Sequence, residues 1–244
     1  MELDEYERMA TAETAHWWYG ATRELLQDLL GHRLASGGLF LDAGGGSGAT
    51  GAWMGHVGRT ILADVELVAL QLAERDHPEV DDVVLADVSR LPFVEGSFDA
   101  ALCVTVLCHE LIPEPAATVR ELARVVQPGG YVCLMEPGVR RLRRAHDRVT
   151  HSARRFSRRD LASLVTAAGL ELVRSTAAYS FLVPPAAVKA VLERGKVDSD
   201  IDRNEGGLAG LLPRVARMER AVLRRTDLPA GLSVVAVGRK PGEP

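Results

Sequence analysis

Short apolar runs alternate with stretches of helical periodicity along most of the chain. The runs are rich in Val, Leu and Ile and are bounded by Gly, Asp or Pro, which is typical of strands buried on both faces. We predict strands at 38–43, 60–64, 82–87, 98–106, 130–137, 171–176 and 233–240. Since these strands alternate with helices, the pattern predicts a doubly wound α/β fold with a mainly parallel sheet.

The segments between the strands carry apolar residues every three or four positions, the spacing of amphipathic helices. We predict helices at 21–34, 49–57, 66–76, 115–126 and 157–170. The last of these has Ser157 as a candidate N-cap and Gly169 as a C-terminal stop.

A chain of 244 residues suffices for one large α/β domain. We therefore expect 1–244 to form a single domain, with 1–36 as an N-terminal helical lid. Segment 178–230 is helical in period and too long for a structureless loop. We predict that it is a helical cap insertion between strands six and seven, placed to shape a substrate pocket.

Composition narrows the class of partner. A formal net charge of −4 provides no general attraction to nucleic acid. The acidic start lacks a secretory signal and no stretch reaches the length of a membrane span, so we expect a cytoplasmic protein. The three cysteines lie in apolar runs, where we expect them to pack as small hydrophobes. No pattern specifies an oligomeric state.

A glycine-rich turn, Asp42–Gly48, follows the first strand and precedes a predicted helix. This arrangement places backbone N–H groups and a helix N-terminus beside a ligand. Asp64 ends the second strand, where a carboxylate can accept both hydroxyls of a ribose. Asp87 ends the third and could reach the exocyclic amine of an adenine. The candidate neighbours of the adenine ring are Val65 and Val88.

The same turn also fits a dinucleotide pattern, because 46–51 reads G-x-G-x-x-G. Asp42 opposes that interpretation, since it would direct negative charge at an anionic pyrophosphate and suits a cationic amino-acid tail better. A third interpretation is that the glycines only allow tight strand-to-helix packing. The residues alone thus leave an S-adenosylmethionine site, a nicotinamide site and a purely structural turn as alternatives.

Five segments resemble the motifs of class I S-adenosylmethionine-dependent methyltransferases. They are LDAGGGSG, LADVE, LADVSRLPF, FDAALCVTVLCHEL and VRELARVVQPGGYVCLMEP. The resemblance implies a seven-stranded sheet of order 3-2-1-4-5-7-6 with the last strand antiparallel. It also implies S-adenosylmethionine as cofactor and S-adenosylhomocysteine as product. The matching cofactor residues are Asp42, Gly44, Gly46, Gly48, Asp64 and Asp87, with the backbone near Cys103 and Val104 facing the methionine part.

Two further segments, HWWYGATRELL and AHDRVTHSARRFSRRDL, resemble a bacterial subgroup that acts on small molecules. The subgroup itself implies no particular substrate, but members of the broader group methylate natural products, sugars, lipids and quinone-like molecules, and we expect an acceptor of this kind. A non-catalytic adenosyl-nucleoside-binding or regulatory domain is the main alternative, and an NAD(P)-dependent oxidoreductase is a third.

Methyl transfer is an in-line displacement, so the protein mainly aligns the reactants and excludes water. His109, just past the fourth strand, is the candidate catalytic base for a hydroxyl nucleophile. The alternative is a structural histidine that packs the turn or shapes the substrate pocket.

The aromatic entry segment precedes the first helix. Tyr19 is a candidate cofactor contact, and His16 and Trp17 could close over the site or stack on a planar substrate. The alternative is that these rings pack the N-terminal helix on the sheet.

A basic run follows the fifth strand. We predict that His146, His151 and Arg155 line the acceptor pocket and bind a polar or anionic acceptor, with His151 and Arg155 four residues apart on one helix face. A solvated arginine face is the alternative. The run lacks cysteines and a fourth committed ligand, so we predict no metal site.

Overall fold

The computed structural model describes residues 16–140, 142, 152–192 and 210–242. Seven strands form one sheet of order β3-β2-β1-β4-β5-β7-β6. Only β7 is antiparallel to its neighbours, β5 and β6, so the predicted sheet order and fold class are confirmed. The strands are β1 (Leu39–Ala43), β2 (Arg59–Asp64), β3 (Asp82–Leu85), β4 (Phe98–Val104), β5 (Val126–Pro137), β6 (Glu171–Ala178) and β7 (Ser233–Arg239).

Six α-helices lie within these described residues. They are α1 (Trp17–Leu30), α2 (Leu67–Asp76), α3 (Pro115–Val125), α4 (Arg158–Ala167), α5 (Val183–Leu192) and α6 (Leu212–Leu223). The predicted N-cap of α4 is confirmed, because Ser157 and Asp160 form a reciprocal capping box. Helices α5 and α6 both belong to the predicted insertion. No helix in the described parts of the chain is long and apolar enough to cross a membrane.

Helices cover both faces of the sheet. One core cluster joins the sheet to α3 and α4, through side chains such as Val119 and Leu161. The other joins it to α1 and α6, through side chains such as Leu26 and Leu223. Since adjacent residues of β1 point to opposite faces, Leu41 belongs to the first cluster and Phe40 to the second.

The prediction of a helix at 49–57 is wrong. The structure has only a 3-10 helix, Ala52–His56, after the glycine turn. Glycines 51 and 55 explain the difference, because glycine inside an α-helix is unfavourable and both positions are crowded. A Cβ on Gly51 would overlap the carboxylate of Asp42, and one on Gly55 would overlap the carbonyl of Glu79.

Two strand ends differ from the prediction in ways that shape the site. β4 ends at Val104 rather than at residue 106, because Thr105 has a φ of 56° and leaves the extended conformation. β3 ends at Leu85, so Asp87 lies two residues beyond the strand. The carboxyl ends of β1 to β5 lie along one edge of the sheet, the usual position of a ligand site in this architecture.

Candidate functional site

The glycine turn and the end of β2 are joined by one carboxylate. Asp64 Oδ2 accepts the N–H of Gly46 at 2.9 Å, and its Oδ1 accepts the N–H of Glu66 at 3.0 Å. Burial raises the pKa of Asp64 above its ordinary value, although these backbone donors oppose the shift. The carboxylate is thus fixed in orientation at the edge where the sequence predicted it.

The glycine turn is packed on one side and open on the other. Gly44 has a φ of 71° and Gly46 a φ of 57°, conformations that glycine adopts without strain. A Cβ on Gly44 would overlap Cγ2 of Val106, whereas a Cβ on Gly46 would meet no atom of the described residues within 4 Å. A ligand can therefore approach the backbone at Gly46, while Gly44 holds the turn against the loop after β4.

Asp42 does not face the ligand side of the turn, although the sequence predicted that it would. Its side chain is only 1% exposed, and a Cβ on Gly45 would lie 2.6 Å from its Oδ2. The carboxylate therefore lies beneath the turn, between Gly45 and Gly51, rather than pointing out of it. This position supports the turn and does not present the charge to a cationic tail.

Of the residues predicted around an adenine ring, two have exposed side chains and one has a buried side chain. Asp87 is exposed, and its Oδ1 accepts the N–H of Ser89 at 2.8 Å. Val65 is 48% exposed at the end of β2. Val88 is 4% exposed and packs in the core, so the expectation that its side chain flanks the ring is wrong, because that side chain is covered by the protein.

The loop after β4 is held by a residue that the sequence analysis did not single out. Glu136, at the end of β5, is fully buried. Its Oε1 accepts the N–H groups of Val106 at 3.1 Å and Leu107 at 2.8 Å, and its Oε2 accepts that of Cys108 at 3.0 Å. The sequence contained one signal for this role, an acid near the end of the apolar strand YVCLMEP. An acid buried in such a strand requires several hydrogen-bond donors.

Desolvation is the main influence on the pKa of the Glu136 carboxyl. Burial raises its pKa to about 7, and the three backbone N–H donors oppose this rise. The group therefore titrates near neutrality while it binds the loop.

His109 lies half-buried on this loop. Its Nδ1 accepts the N–H of Leu111 at 3.3 Å, so the neutral ring carries its proton on Nε2. Its backbone forms an isolated bridge with Ser152. Cys103 and Val104, predicted to meet the methionine part through their backbone, end β4 with both side chains buried.

The segment before α4 runs along the same loop. The N–H of Ala153 donates to Cys108 at 2.8 Å, and Arg155 Nη1 donates to the carbonyl of Gly138 at 2.9 Å. Arg155 is therefore brought close to the β5 end of the candidate site. Its predicted place on a helix is wrong, because α4 begins only at Arg158. His146 and His151 lie outside the described residues.

The other arginines nearby hold the backbone. Arg154 Nη1 donates to the carbonyl of Ile112 at 2.7 Å, and Arg158 Nη1 donates to that of Leu228 at 3.0 Å. These side chains connect separate loops, so a fully solvated arginine face does not describe this part of the run.

The aromatic entry segment packs against the chain that follows β6. The rings of Trp17 and Tyr179 meet edge to face at 5.8 Å, and Trp17 also contacts Phe181. The Tyr179 hydroxyl hydrogen-bonds Thr22 of α1 at 2.8 Å in a buried position. His16 is the N-cap of α1, its Nδ1 accepting from Trp18 N. Tyr19 contacts Trp18 and His16 edge to face.

Helix α1 also reaches the glycine loop. Arg23 Nη1 donates to the carbonyl of Ala49 at 2.9 Å. The rings therefore have a packing role, and α1 lies next to the turn at which a cofactor is predicted.

The three cysteines are buried and free of disulfides. Burial raises the pKa of all three thiols, that of Cys133 to about 12. They are therefore protonated at neutral pH, as expected of packing residues. Among the described residues, no group of three or more His, Cys, Asp or Glu side chains could hold a metal ion.

The chain has recognisable relatives. Residues 41–134 match a family described as a methyltransferase domain. A biotin biosynthesis bifunctional protein of Cellvibrio japonicus is 31% identical over 54% of this chain and 27% of that protein. A demethylmenaquinone methyltransferase of Renibacterium salmoninarum is 29% identical over 52% of this chain and 50% of its own. The chain thus spans half or less of these curated relatives.

The fold also matches solved structures. The geranyl diphosphate C-methyltransferase of Streptomyces coelicolor, solved with S-adenosylhomocysteine, superposes with a TM-score of 0.60. The match covers 91% of this chain and 77% of the other at 14% identity. At that identity the similarity is one of fold.

Proposed function

We propose that this chain, in which residues 41–134 match a methyltransferase domain and the sheet has the order β3-β2-β1-β4-β5-β7-β6, transfers a methyl group from S-adenosylmethionine to a small-molecule acceptor. The observation that carries the proposal is the placement of Asp64. Its carboxylate lies at the carboxyl end of β2 and holds Gly46 of the turn. A carboxylate has about four lone-pair sites, so Asp64 can accept two ribose hydroxyls while it keeps both backbone donors.

The remaining residues fit an adenosyl group. The turn is open at Gly46, exposed Asp87 can accept from an exocyclic amine, and Val65 offers an apolar surface beside it. When bound, S-adenosylmethionine supplies an electrophilic methyl group on a sulfonium. The chain itself orients the ligand and excludes water, which are the main requirements of in-line transfer.

His109 is proposed to act on the acceptor side of this site. Because Nδ1 accepts the Leu111 N–H, Nε2 of the neutral ring is a hydrogen-bond donor rather than a base. The geometry therefore favours a residue that binds and orients an acceptor oxygen. Base catalysis through Nε2 would first require the other tautomer and loss of the Leu111 bond.

We also propose that the N-terminal segment and the insertion form the cover of the acceptor pocket. The support is the connection between α1 and α6. Asp28 pairs with Arg220 at 2.9 Å and with Arg224 at 3.0 Å, and Glu24 pairs with Arg220. With Trp17 and Phe181 in contact as well, the two predicted cover elements, 1–36 and 178–230, are linked to each other.

We propose a planar, quinone-like or phenolic acceptor. The rings of Trp17 and Phe181 pack on each other but are only half-buried, so their accessible surfaces are available to a flat apolar ligand. The relative from Renibacterium salmoninarum is named for a quinone.

Calorimetry and a transfer assay test the proposal. S-adenosylhomocysteine is titrated into the chain in parallel with NADH, and methyl transfer from labelled S-adenosylmethionine is measured on quinol, phenol and sugar acceptors. Binding of S-adenosylhomocysteine and transfer to a quinol or phenol are expected. Binding of NADH alone would overturn the methyltransferase proposal, whereas transfer only to sugars would overturn the acceptor class.

A further inference from the structure

The loop after β4 has an unusual backbone for its position. Thr105 has a φ of 56°, which is rare for a residue with a side chain and raises the energy of the free loop. The next three residues direct their N–H groups toward the interior, at Glu136. A conformation of this kind persists only where the surroundings determine it.

The carboxylate of Glu136 holds the loop in this conformation. Three backbone donors converge on its two oxygens at 2.8 to 3.1 Å. Hydrogen bonds to a charged acceptor are stronger than those between neutral groups. Because the side chain is 0% exposed, solvent does not compete with it for these N–H groups.

The loop that Glu136 holds touches both sides of the candidate site. Val106 lies so close to Gly44 that a Cβ there would overlap its Cγ2, so the loop supports the glycine turn. His109 follows directly, its N–H bonded to the carbonyl of Val106 at 3.0 Å. A shift of 106–108 would therefore move both the cofactor turn and the acceptor-side histidine.

From these contacts we infer that Glu136 is the positioning residue of the proposed active site, fixing the loop 105–109 between the cofactor turn and the acceptor. The inference rests on the proposed methyl transfer for its functional meaning. Its structural content, that one carboxylate determines the loop, is independent of any ligand.

The chain contains a matched control for this geometry. Glu219 of α6 also binds a loop by its backbone, accepting the N–H groups of Tyr179 and Ser180. That turn likewise contains a residue with positive φ, Tyr179 at 58°. The two carboxylates thus perform the same task on different loops.

Amide hydrogen exchange in the full chain, followed by NMR, tests the inference. In Glu136→Gln, the amide nitrogen of the new side chain cannot accept, so the 106–108 amides are expected to exchange at least about tenfold faster. The 179 and 180 amides are expected to keep their wild-type rates. Glu219→Gln should give the opposite pattern. Uniform acceleration of both loops by Glu136→Gln would indicate general destabilisation and overturn the inference.

The histidine ring signals give a second readout. The signals of His109, assigned with His109→Ala, are expected to shift in Glu136→Gln but not in Glu219→Gln. Unshifted signals together with wild-type exchange at 106–108 would overturn the inference. If Glu136→Gln does not fold, the wild-type chain still decides, because 106–108 amides that exchange as fast as free loop amides would also overturn it.

Titration with S-adenosylhomocysteine separates the two proposals. Glu136→Gln is expected to bind it at least about tenfold more weakly than wild type, and Glu136→Asp, which retains the charge, is expected to recover part of the loss. Wild-type affinity in Glu136→Gln would overturn the positioning role. If the wild-type chain itself fails to bind, the proposed function is wrong, and the exchange data still test the loop.

Discussion

The Gly46 N–H donates to the carboxylate of Asp64 at 2.9 Å, so the turn after β1 and the end of β2 share one hydrogen bond. The same carboxylate is the group proposed to bind a ribose. Under that proposal, formation of the turn and recognition of the ligand depend on one side chain. Its orientation is set before any ligand arrives, which lowers the ordering cost of binding.

Asp64→Ala is expected to weaken S-adenosylhomocysteine binding by about 1–3 kcal/mol, or roughly 5- to 150-fold, the usual cost of losing a charge-assisted partner. Calorimetry measures the change. Asp82→Ala is the control, because that exposed residue begins β3 at the opposite edge of the sheet and pairs with Arg59 on the surface. Equal affinity in the Asp64 and Asp82 variants would remove Asp64 from the site.

Gly44→Ala is expected to destabilise the chain more than Gly37→Ala. Both glycines have similar positive φ angles, 71° and 76°, so each substitution introduces backbone strain on the order of 1 kcal/mol. Of the two, Gly44 also faces an overlap, with Val106, while a Cβ on Gly37 meets no atom within 4 Å in the part of the chain that the structure describes. Urea unfolding measures the free energy of unfolding of both variants. Since the backbone strain is common to both, the additional loss in Gly44→Ala is due to the overlap. Equal losses in the two variants would show that the turn and the β4 loop are not tightly packed.

The sheet could be predicted from sequence because its signals are local. The runs around Leu41, Leu62 and Leu102 are apolar on both faces, and a parallel sheet covered by helices buries such strands. The strand order came from the resemblance rather than from the pattern itself. The structure reproduces both.

The site was less predictable because its decisive contacts are non-local. Glu136 lies about thirty residues from the amides that it binds, and no spacing rule reveals such a partner. Asp42 looked like a ligand-facing acid because it precedes the turn, but its depth depends on how Gly45 and Gly51 pack over it. The helical spacing near Arg155 was misleading because the segment is not helical, and the N–H groups of Ala153 and Arg154 donate to the carbonyl of Cys108 instead.

His109→Gln is expected to preserve more transfer activity than His109→Ala, because an amide nitrogen can still donate to an acceptor oxygen. The loss in His109→Ala should fall mainly on the KM of the acceptor. The pH dependence of kcat should keep its wild-type shape in both variants, since the ring at Nε2 is a donor. Steady-state kinetics with a quinol or phenol acceptor gives both parameters. Loss of a pH-dependent limb in His109→Ala would establish the base role instead.

Glu136 should also make the stability of the chain depend on pH. Burial raises its folded-state pKa to about 7 from an ordinary value of 4.5, so between these pH values the folded state binds more protons than the unfolded state. Stability therefore falls as the pH rises through this window. A difference of this size corresponds to on the order of 3 kcal/mol.

Urea unfolding of wild type and Glu136→Gln at pH 4 to 8 measures this effect. The glutamine cannot titrate, and contributions from Asp64 and Glu219, whose pKa values are also raised by burial, cancel in the difference. The wild-type free energy of unfolding minus that of the variant is expected to decrease across the window and to level off above about pH 7. A difference independent of pH would mean that burial does not raise the pKa of Glu136 in the folded state.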